Sequence, residues 1–351
     1  MIKDIISNNY PISFKNKGYD FLKDIIKKNN YSKLFIHVDE NTNKYCLNHF
    51  LKHFDILKII KIESISGEEN KNIKSCLKLW KLISDKGGDR RSLLINLGGG
   101  VITDMGGFVA STFKRGIDYV NIPTTLLSMV DASVGSKTGI DFGVLKNQIG
   151  TFYDPKVVII DPDYLDTLNE KEKLSGYAEV FKHSLICNKH VYNQLIGLNK
   201  ILIDYKIIHD SITIKNNLVL KDKFEKKERK ALNFGHTLGH AIESFLLDSK
   251  KKLTHGEAIA IGMILATFLS HKLCNFSRKN LELIKTHLKG LFGNIHFESK
   301  EIEKIIELLK HDKKNSHGKV NFILLKKIGE PVYDVEISKD LIIESFDYYL
   351  S

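Results

Sequence analysis

The sequence predicts two domains, an α/β domain over residues 1–168 and a mostly helical domain over residues 169–351. Strand-like and helix-like apolar patterns alternate in the first half, whereas mainly helical spacing recurs from Asn169 onward. The length of 351 residues is enough for two domains of ordinary size. A repeated order of strand, turn and helix predicts a parallel sheet with helices on its faces.

Five strand-like runs support the prediction of an α/β domain. They span residues 33–38, 56–62, 92–97, 119–122 and 156–160. Helical spacing lies between them over residues 41–53 and 70–85. Ligands of parallel α/β sheets bind at the carboxyl ends of the strands. Binding candidates therefore follow the strands, namely Asp39, Asn41, Glu68, Lys71 and the turn Gly98–Gly100.

The glycine turn Gly98–Gly100 lies between a strand-like run and a helix pattern of small residues. Glycines there let backbone N–H groups approach a pyrophosphate, which a helix N-terminus favours electrostatically. The turn does not match G-x-G-x-x-G, so alone it is a weak signal. Polar residues that suit a phosphorylated, hydroxyl-rich substrate follow it, namely Asp131, Lys137, Lys146 and Asn147.

Helical spacing in the second domain covers residues 170–188, 204–223, 231–247, 256–273, 278–291 and 301–309, and residues 320–325 predict a short strand or hairpin. No internal repeat or low-complexity linker is evident. The second domain is therefore expected to be mostly α-helical.

Two histidines, His236 and His240, are four residues apart and share one face of a predicted helix. His255 follows them, and Glu179 precedes them on another helix. A carboxylate with two or three histidines suits a divalent metal and leaves a position for substrate oxygens. The histidine pair alone is about as often structural as metal-binding. The glycines of this motif, Gly235 and Gly239, predict a close approach, either of a ligand or of a packed helix.

The net charge of +11 reflects abundant, scattered lysine, and no aromatic–basic recognition motif appears, so no nucleic-acid partner is expected. No apolar run is read as membrane-spanning and the N-terminus lacks a signal-peptide core, so we expect no membrane partner and a cytoplasmic location. The four widely spaced cysteines are expected to be reduced, buried thiols.

Six segments between Gly98 and Met263 together resemble the 3-dehydroquinate synthase family of the sugar-phosphate cyclase superfamily. They read GGGVITDMGGF, RGIDYVNIPTTLLSMVDASVGSKTGID, KNQIGTFYDP, LSGYAEVFKH, RKALNFGHTLGHAIE and HGEAIAIGM. The resemblance implies an N-terminal Rossmann-like NAD-binding domain and a mostly α-helical C-terminal metal-binding domain, a dehydroquinate synthase-like fold. It also implies NAD and zinc, with cobalt as an alternative metal.

The resemblance assigns NAD-lining positions to Asp39, Asn41, Glu68, Lys71, Gly99, Gly100, Val101, Asp104, Thr124, Thr125, Lys146 and Thr167. It assigns the metal ligands to Glu179, His236 and His255. Positions around the substrate match Asp131, Lys137, Asn147, Lys182, Lys215, Arg229, Asn233 and His240, with Glu225 and His240 as proton acceptors.

Further implications concern the partner subunit and the departures from the family pattern. Arg115 matches an arginine that reaches the neighbouring subunit's site, which implies a homodimer, and Lys313 or Lys314 matches a lysine that contacts substrate. Thr103 and Ser136 stand where glycine is common, and His183 stands where tyrosine or threonine is usual.

The implied reaction converts 3-deoxy-D-arabino-heptulosonate 7-phosphate to 3-dehydroquinate and phosphate in the shikimate pathway, which supplies chorismate and the aromatic amino acids. NAD is regenerated in each turnover, and the enzyme is a phosphate lyase. One alternative is another sugar-phosphate cyclase, such as 2-deoxy-scyllo-inosose or valiolone synthase. A second is a metal-dependent polyol dehydrogenase, which would release NADH, and a third is a non-enzymatic binding module.

Overall fold

A parallel sheet organises the first of the two units into which the chain divides, Met1–Asn169 and Glu170–Ser351. The structure is a computed structural model that describes residues 3–54, 58–143, 145–247, 249, 251–309 and 320–351. The strands of the first unit are β1 (Ile5–Ser7), β2 (Tyr10–Phe14), β3 (Lys33–Asp39), β4 (Ile60–Ser64), β5 (Ser92–Gly98), β6 (Asp118–Pro123), β7 (Lys137–Phe142), β8 (Leu145–Phe152) and β9 (Val158–Ile160). Its helices are α1 (Lys15–Asn29), α2 (Glu40–Tyr45), α3 (Leu47–Leu51), α4 (Ile73–Asp85) and α5 (Gly100–Thr112).

The described strands of this sheet lie in the order β1-β2-β9-β6-β5-β3-β4. All neighbouring pairs from β2 to β4 are parallel, and β1 is an antiparallel edge. Strand β5 is buried at every position, as expected for a parallel strand covered on both faces. The predicted parallel sheet with helices is therefore confirmed.

Two elements of the first unit differ from the sequence prediction. The predicted helix over residues 41–53 is two short helices, α2 and α3, which meet at Cys46, whose φ of −112° departs from helical geometry. The hairpin of β7 and β8 was missed, because most positions of β8 are exposed and no alternating apolar pattern marks it.

Helices dominate the second unit, as predicted. They are α6 (Glu170–Cys187), α7 (Lys189–Leu195), α8 (Tyr205–Lys221), α9 (His236–Leu246), α10 (His255–Cys274), α11 (Arg278–Phe292), α12 (Ser299–Leu308) and α13 (Lys339–Leu350). An antiparallel hairpin of β10 (Asn321–Lys327) and β11 (Glu330–Glu336) accompanies them, where the sequence predicts a strand or hairpin.

Helix α10 is the core helix of the second unit and packs against α6, α9, α11, α13 and β10. Contrary to the sequence expectation, it is long and apolar enough to cross a membrane by length and composition alone. Of its most apolar window, 72% is buried inside the protein. A helix that is apolar all round is expected when its whole surface is covered by neighbouring elements.

The cysteine prediction is partly wrong. Cys46 and Cys76 are buried, but Cys187 is exposed and Cys274 is partly exposed. All four lie in the described part of the chain and none forms a disulfide there, as expected.

Candidate active site

The carboxylate of Glu179 is the centre of the site in the second unit. Glu179 lies in the middle of α6 and is fully buried, and its Oε2 accepts a hydrogen bond from Lys182 Nζ one turn further along. Burial by itself raises the pKa of this carboxyl group, but the Lys182 ammonium and His236 outweigh burial and hold the pKa well below its usual range. Glu179 is therefore ionised at neutral pH.

Two histidines direct their Nε2 atoms at the other oxygen of this carboxylate. His236 begins α9 and His255 begins α10, and each Nε2 lies 3.4 Å from Glu179 Oε1. Oε1 is buried and accepts no hydrogen bond from the part of the chain that the structure describes. An unsatisfied buried carboxylate oxygen is costly, and a cation between these three atoms would satisfy it.

The opposite ring nitrogens hold both imidazoles in place. His236 Nδ1 donates to the Phe234 carbonyl oxygen at 3.2 Å, and His255 Nδ1 donates to Glu243 Oε2 at 3.2 Å. A ring that donates from Nδ1 presents Nε2 to a metal, and carboxylate partners of this kind are typical of histidine ligands. Burial lowers the pKa of His255, but the Glu243 and Glu179 carboxylates outweigh burial and raise it to about 9. The site therefore favours positive charge.

The imidazole of His240 lies beside this group, one turn after His236 on α9. Its ring centroid lies 5.0 Å from the ring of His236 and 5.6 Å from the ring of His255. Candidate ligand atoms of the three histidines lie within 4.8 Å of one another. The structure therefore brings together all four residues that the sequence analysis connected with the metal.

A loop wound around Asp222 positions two further predicted residues. The Asp222 carboxylate accepts hydrogen bonds from the backbone N–H groups of Lys226, Lys227 and Arg229, which curls the chain after α8. Glu225 has a left-handed φ of 58°, and its Oε1 accepts a hydrogen bond from Asn233 Nδ2 at 2.5 Å. The segment after α8, in which charges alternate from Lys221 to Lys230, therefore forms a turn and does not continue the helix.

Three of the predicted substrate residues are long basic side chains that the second unit buries. The exposed fraction is 1% for Lys182, 5% for Lys215 and 2% for Arg229. Arg229 Nη1 donates to the Lys223 carbonyl oxygen at 2.7 Å. Lysine and arginine are seldom buried this deeply without anionic or hydrogen-bonding partners. Lys215 and Arg229 are therefore not solvated surface charges.

In the first unit, Lys71 is the centre of a second polar cluster. It is 3% exposed, and its Nζ donates to Asp104 Oδ2 and to Asn147 Oδ1, both at 2.7 Å. Glu68 Oε1 lies 3.9 Å from Lys71 Nζ and 3.8 Å from Lys146 Nζ. Burial lowers the pKa of Lys71, but Asp104 and Glu68 outweigh burial, so the group stays charged. The cluster unites four predicted cofactor residues with Asn147, which the resemblance places at the substrate.

The glycine turn begins α5 at the carboxyl edge of the sheet. Gly99 is the N-cap residue, and among the described residues no side chain caps this end of the helix. A Cβ on Gly99 would lie 3.0 Å from Thr125 Cγ2, and the Thr124 N–H donates to the Gly98 carbonyl oxygen. The N–H groups of the first turn are therefore available to an anion.

The remaining predicted residues of the first unit occupy varied positions. Asp39 caps α2 through a hydrogen bond to the Thr42 N–H, and the neighbouring Asn41 is exposed. Thr167 donates to the Tyr164 carbonyl oxygen, and Val101 lies in the first turn of α5. Asp131 lies in a π-helical turn, whereas Lys137 and Arg115 are exposed. Lys313 and Lys314 lie outside the described residues.

Sequence reasoning missed Glu243, the partner of His255. Glu243 lies three residues after His240 and seven after His236, so helical spacing places all three on one face of α9. This periodicity was the available signal. Asp222 was also missed, because only the folded loop reveals the backbone groups that it accepts.

Two family models and many named relatives match this chain. The family models described as 3-dehydroquinate synthase N-terminal and 3-dehydroquinate synthase C-terminal match residues 61–175 and residues 176–315. The 3-dehydroquinate synthase of Parabacteroides distasonis is 42% identical over 334 residues, which cover 93% of this chain and 94% of that protein.

Solved structures show the same fold at lower identity. A 2-deoxy-scyllo-inosose synthase in complex with carbaglucose-6-phosphate, NAD⁺ and Co²⁺ has a TM-score of 0.85 at 23% identity and covers 99% of both chains. The 2-epi-5-epi-valiolone synthase of Streptomyces hygroscopicus, with NAD⁺ and Zn²⁺ bound, has a TM-score of 0.85 at 22% identity and covers 100% of this chain and 99% of that one.

The chain shares its fold with these two synthases, and its second unit brings together three histidines that could hold a metal ion. Within this fold, the chain belongs to the 3-dehydroquinate synthase family.

Proposed function

We propose that this chain converts 3-deoxy-D-arabino-heptulosonate 7-phosphate to 3-dehydroquinate and phosphate as a carbon–oxygen lyase of the shikimate pathway. The observation that carries the proposal is the convergence of His236 Nε2 and His255 Nε2 on Glu179 Oε1, each at 3.4 Å. Family membership over both halves of the chain supplies the reaction.

The donor set of the second unit fits a divalent metal such as zinc, with cobalt as an alternative. Two imidazole nitrogens and one carboxylate oxygen are a common catalytic zinc set, and they leave a position for substrate oxygens. The buried Oε1 of Glu179, which accepts no hydrogen bond from a described residue, is the atom that most needs the ion. Glu179, His236 and His255 are therefore the proposed ligands.

The first unit fits NAD. The uncapped first turn of α5, beginning at Gly100, suits the pyrophosphate, and Gly99 keeps the backbone free of a Cβ at the point of closest approach. The residues proposed to line the rest of the cofactor are Asp39, Asn41, Glu68, Lys71, Val101, Asp104, Thr124, Thr125, Lys146 and Thr167. When bound, NAD⁺ supplies a reversible hydride acceptor and the metal a Lewis acid for substrate oxygens.

Proton transfer is assigned to His240 and Glu225. The His240 imidazole lies beside His236 and His255, and an imidazole accepts a hydroxyl proton efficiently near neutral pH. The Glu225 carboxylate, which Asn233 orients, is the second proton acceptor.

Binding of the substrate is assigned to the buried basic residues and to the polar residues of the first unit. The Arg229 guanidinium binds the substrate carboxylate as a planar donor pair, and Lys215 and Asn233 bind its hydroxyl groups. Lys182 neutralises the second oxygen of Glu179 and thereby keeps that carboxylate ionised. Lys137 and Asn147 bind the substrate phosphate. Asp131 binds hydroxyl groups of the sugar ring.

We assign a homodimer and a cytoplasmic location to the protein. Arg115 supports the dimer, since it is exposed and lies in a run of three left-handed residues, Lys114, Arg115 and Gly116, with φ of 52°, 69° and 115°. This unusual backbone directs the run out of the helix that precedes it, where a neighbouring subunit can receive the guanidinium.

The test is phosphate release from a panel of sugar phosphates with catalytic NAD⁺ and Zn²⁺. We expect 3-deoxy-D-arabino-heptulosonate 7-phosphate to be the preferred substrate, with 3-dehydroquinate as product. A chelator should abolish release and added Zn²⁺ should restore it. Preference for another sugar phosphate by the folded, metal-loaded protein would instead support a sister cyclase.

A further inference from the structure

A second cluster of metal-ligand residues lies in the first unit, within the part of the chain assigned to NAD. Ligand atoms of His49, His53 and Asp161 lie within 4.8 Å of one another. His49 belongs to α3, His53 lies two residues after the end of this helix, and Asp161 directly follows β9. None of these three residues has a part in the proposed reaction.

Asp161 is the buried anchor of the cluster. It is 1% exposed, and its Oδ2 accepts hydrogen bonds from His49 Nε2 at 2.8 Å and from the Tyr19 hydroxyl at 3.0 Å. The Tyr19 oxygen in turn lies 3.0 Å from that of Tyr164. Burial, with the neighbouring Tyr164 and Asp161, raises the pKa of Tyr19, so its hydroxyl stays protonated and donates to the carboxylate.

Stacking on Tyr19, and not a hydrogen bond to Nε2, orients the imidazole of His53. Its ring stacks on Tyr19, with centroids 3.5 Å apart and planes 13° apart. His53 Nε2 is buried and has no hydrogen-bond partner among the described residues. A buried nitrogen without a hydrogen-bond partner is energetically costly, and a bound metal ion would satisfy it.

We propose that His49, His53 and Asp161 bind a second divalent transition-metal ion, such as Zn²⁺, in a structural site separate from Glu179, His236 and His255. Two nitrogens and one carboxylate oxygen are suitable zinc ligands, and a water completes four-coordination. Tetrahedral zinc separates its ligand atoms by about 3.3 Å, so the His49–Asp161 pair opens by about 0.5 Å on binding.

The ion would fasten α3 to the segment that follows β9. Tyr19 becomes the outer partner of Asp161, an arrangement that orients carboxylate ligands in metal sites. A metal that binds the folded unit but not the unfolded chain stabilises that unit, by an amount that grows with the logarithm of the free metal concentration above the Kd. The site therefore acts on the stability of the first unit and not on the chemistry.

Zinc stoichiometry after equilibrium dialysis tests this proposal. We expect two equivalents for the wild-type chain, and loss of one equivalent in His53→Phe, which keeps a ring on Tyr19 but removes the nitrogen. His49→Gln gives the same loss in case His53→Phe fails to fold. His190→Gln, which alters an exposed histidine on α7, is the matched control and should bind both equivalents.

A second set of variants separates the two sites. His236→Gln should retain the structural equivalent, and the combination with His53→Phe should bind none. Zn²⁺ should also raise the unfolding temperature of His236→Gln, and His53→Phe should abolish that rise. The proposal is wrong if His236→Gln binds no zinc, or if His53→Phe and His49→Gln both bind as much zinc as wild type.

Discussion

Ser136 occupies a backbone conformation that suits glycine better than serine. Its φ is 61°, and its hydroxyl oxygen is buried without a hydrogen-bond partner among the described residues. A left-handed conformation costs a residue with a Cβ about 1–2 kcal/mol. This strain explains why glycine is common at this position in the family that the sequence resembles.

The substitution Ser136→Gly is therefore expected to stabilise the protein by roughly 1 kcal/mol, because relief of strain and of the unsatisfied hydroxyl exceeds the entropy lost by glycine. Chemical denaturation measures the change. Ser133→Gly is the matched control, since Ser133 has an ordinary φ of −74°. This change should destabilise the protein. A loss of stability in Ser136→Gly would refute the strain argument.

Glu243 orients His255 through the hydrogen bond to Nδ1, so it is a positioning residue for the proposed metal. Glu243→Gln is expected to weaken zinc binding by about 10–100-fold, as outer partners of histidine ligands do. Competition with a chromophoric chelator measures the affinity. Glu282→Gln on the exposed face of α11 is the control. Equal zinc affinity in Glu243→Gln and wild type would exclude this role.

Residue identities alone predicted which histidines accompany Glu179 in the metal site. They did not predict which atom of each residue makes which contact. Spacing on one helix face is visible in a sequence, so the pair His236 and His240 was found. The meeting of α6, α9 and α10 is a tertiary contact with no local signal. Residue types alone suggested Glu179 and His255 as partners of the histidine pair, and the family resemblance assigned the three ligands.

Among the helices, the crossing of α9 and α10 depends on three glycines. A Cβ on Gly262 would lie 2.0 Å from the Gly235 carbonyl oxygen and 2.8 Å from the Gly239 nitrogen. Both contacts are with backbone atoms, which cannot move aside without separating the helices. The glycines of the histidine motif therefore serve helix packing, one of the two alternatives that the sequence left open.

Gly262→Ala is expected to destabilise the second unit by about 3 kcal/mol or more and to weaken metal binding, because it displaces the helices that carry His236 and His255. Gly290→Ala in α11 is the control, since a Cβ there meets no described atom within 4 Å. Removing a helical glycine should add up to about 1 kcal/mol of stability. The unfolding temperature and the zinc affinity are measured for Gly262→Ala and Gly290→Ala. Similar values for the two variants would contradict the packing argument.

Elements with strong periodicity were predictable from the sequence, and elements without it were not. The buried strands β3, β5 and β6 are apolar runs bounded by turns, and the sequence prediction finds them within a residue or two. The edge pair β1 and β2 was missed, because β1 has three residues and β2 contains Pro11. Short, irregular elements depend on tertiary neighbours for their stability.

At the scale of the whole molecule, each unit holds a buried histidine that is neutral at pH 7. His37 lies in β3 and is fully buried, and burial lowers its pKa to about 4. His287 lies in α11, beside the Tyr177 hydroxyl, and burial lowers its pKa to about 4 as well. A histidine in the unfolded chain has a pKa near 6.5, so between these values the unfolded state binds more protons.

Stability is therefore expected to be lost as the pH falls below about 6.5, with His37 contributing about 2 kcal/mol between pH 7 and pH 5. Denaturant titrations at both pH values measure this loss. His37→Gln and His287→Gln should each reduce it, whereas His190→Gln, at an exposed position, should leave it unchanged. An unchanged loss in His37→Gln would show that His37 is not the titrating group.

The division into an α/β and a helical part followed from hydrophobic periodicity, since this property belongs to each segment alone. Function did not follow from periodicity or charge. A glycine turn and a histidine pair suggested phosphate and metal chemistry separately, and six ordered segments were needed to connect them to one reaction.

The central claim is that NAD acts as a recycled catalyst in a reaction that releases phosphate. The most direct measurement follows phosphate and the absorbance at 340 nm in one reaction with 3-deoxy-D-arabino-heptulosonate 7-phosphate, Zn²⁺ and NAD⁺ far below the substrate concentration. We predict complete phosphate release without accumulation of NADH. NADH formed in proportion to substrate consumed, without phosphate release, would contradict the account and indicate a polyol dehydrogenase.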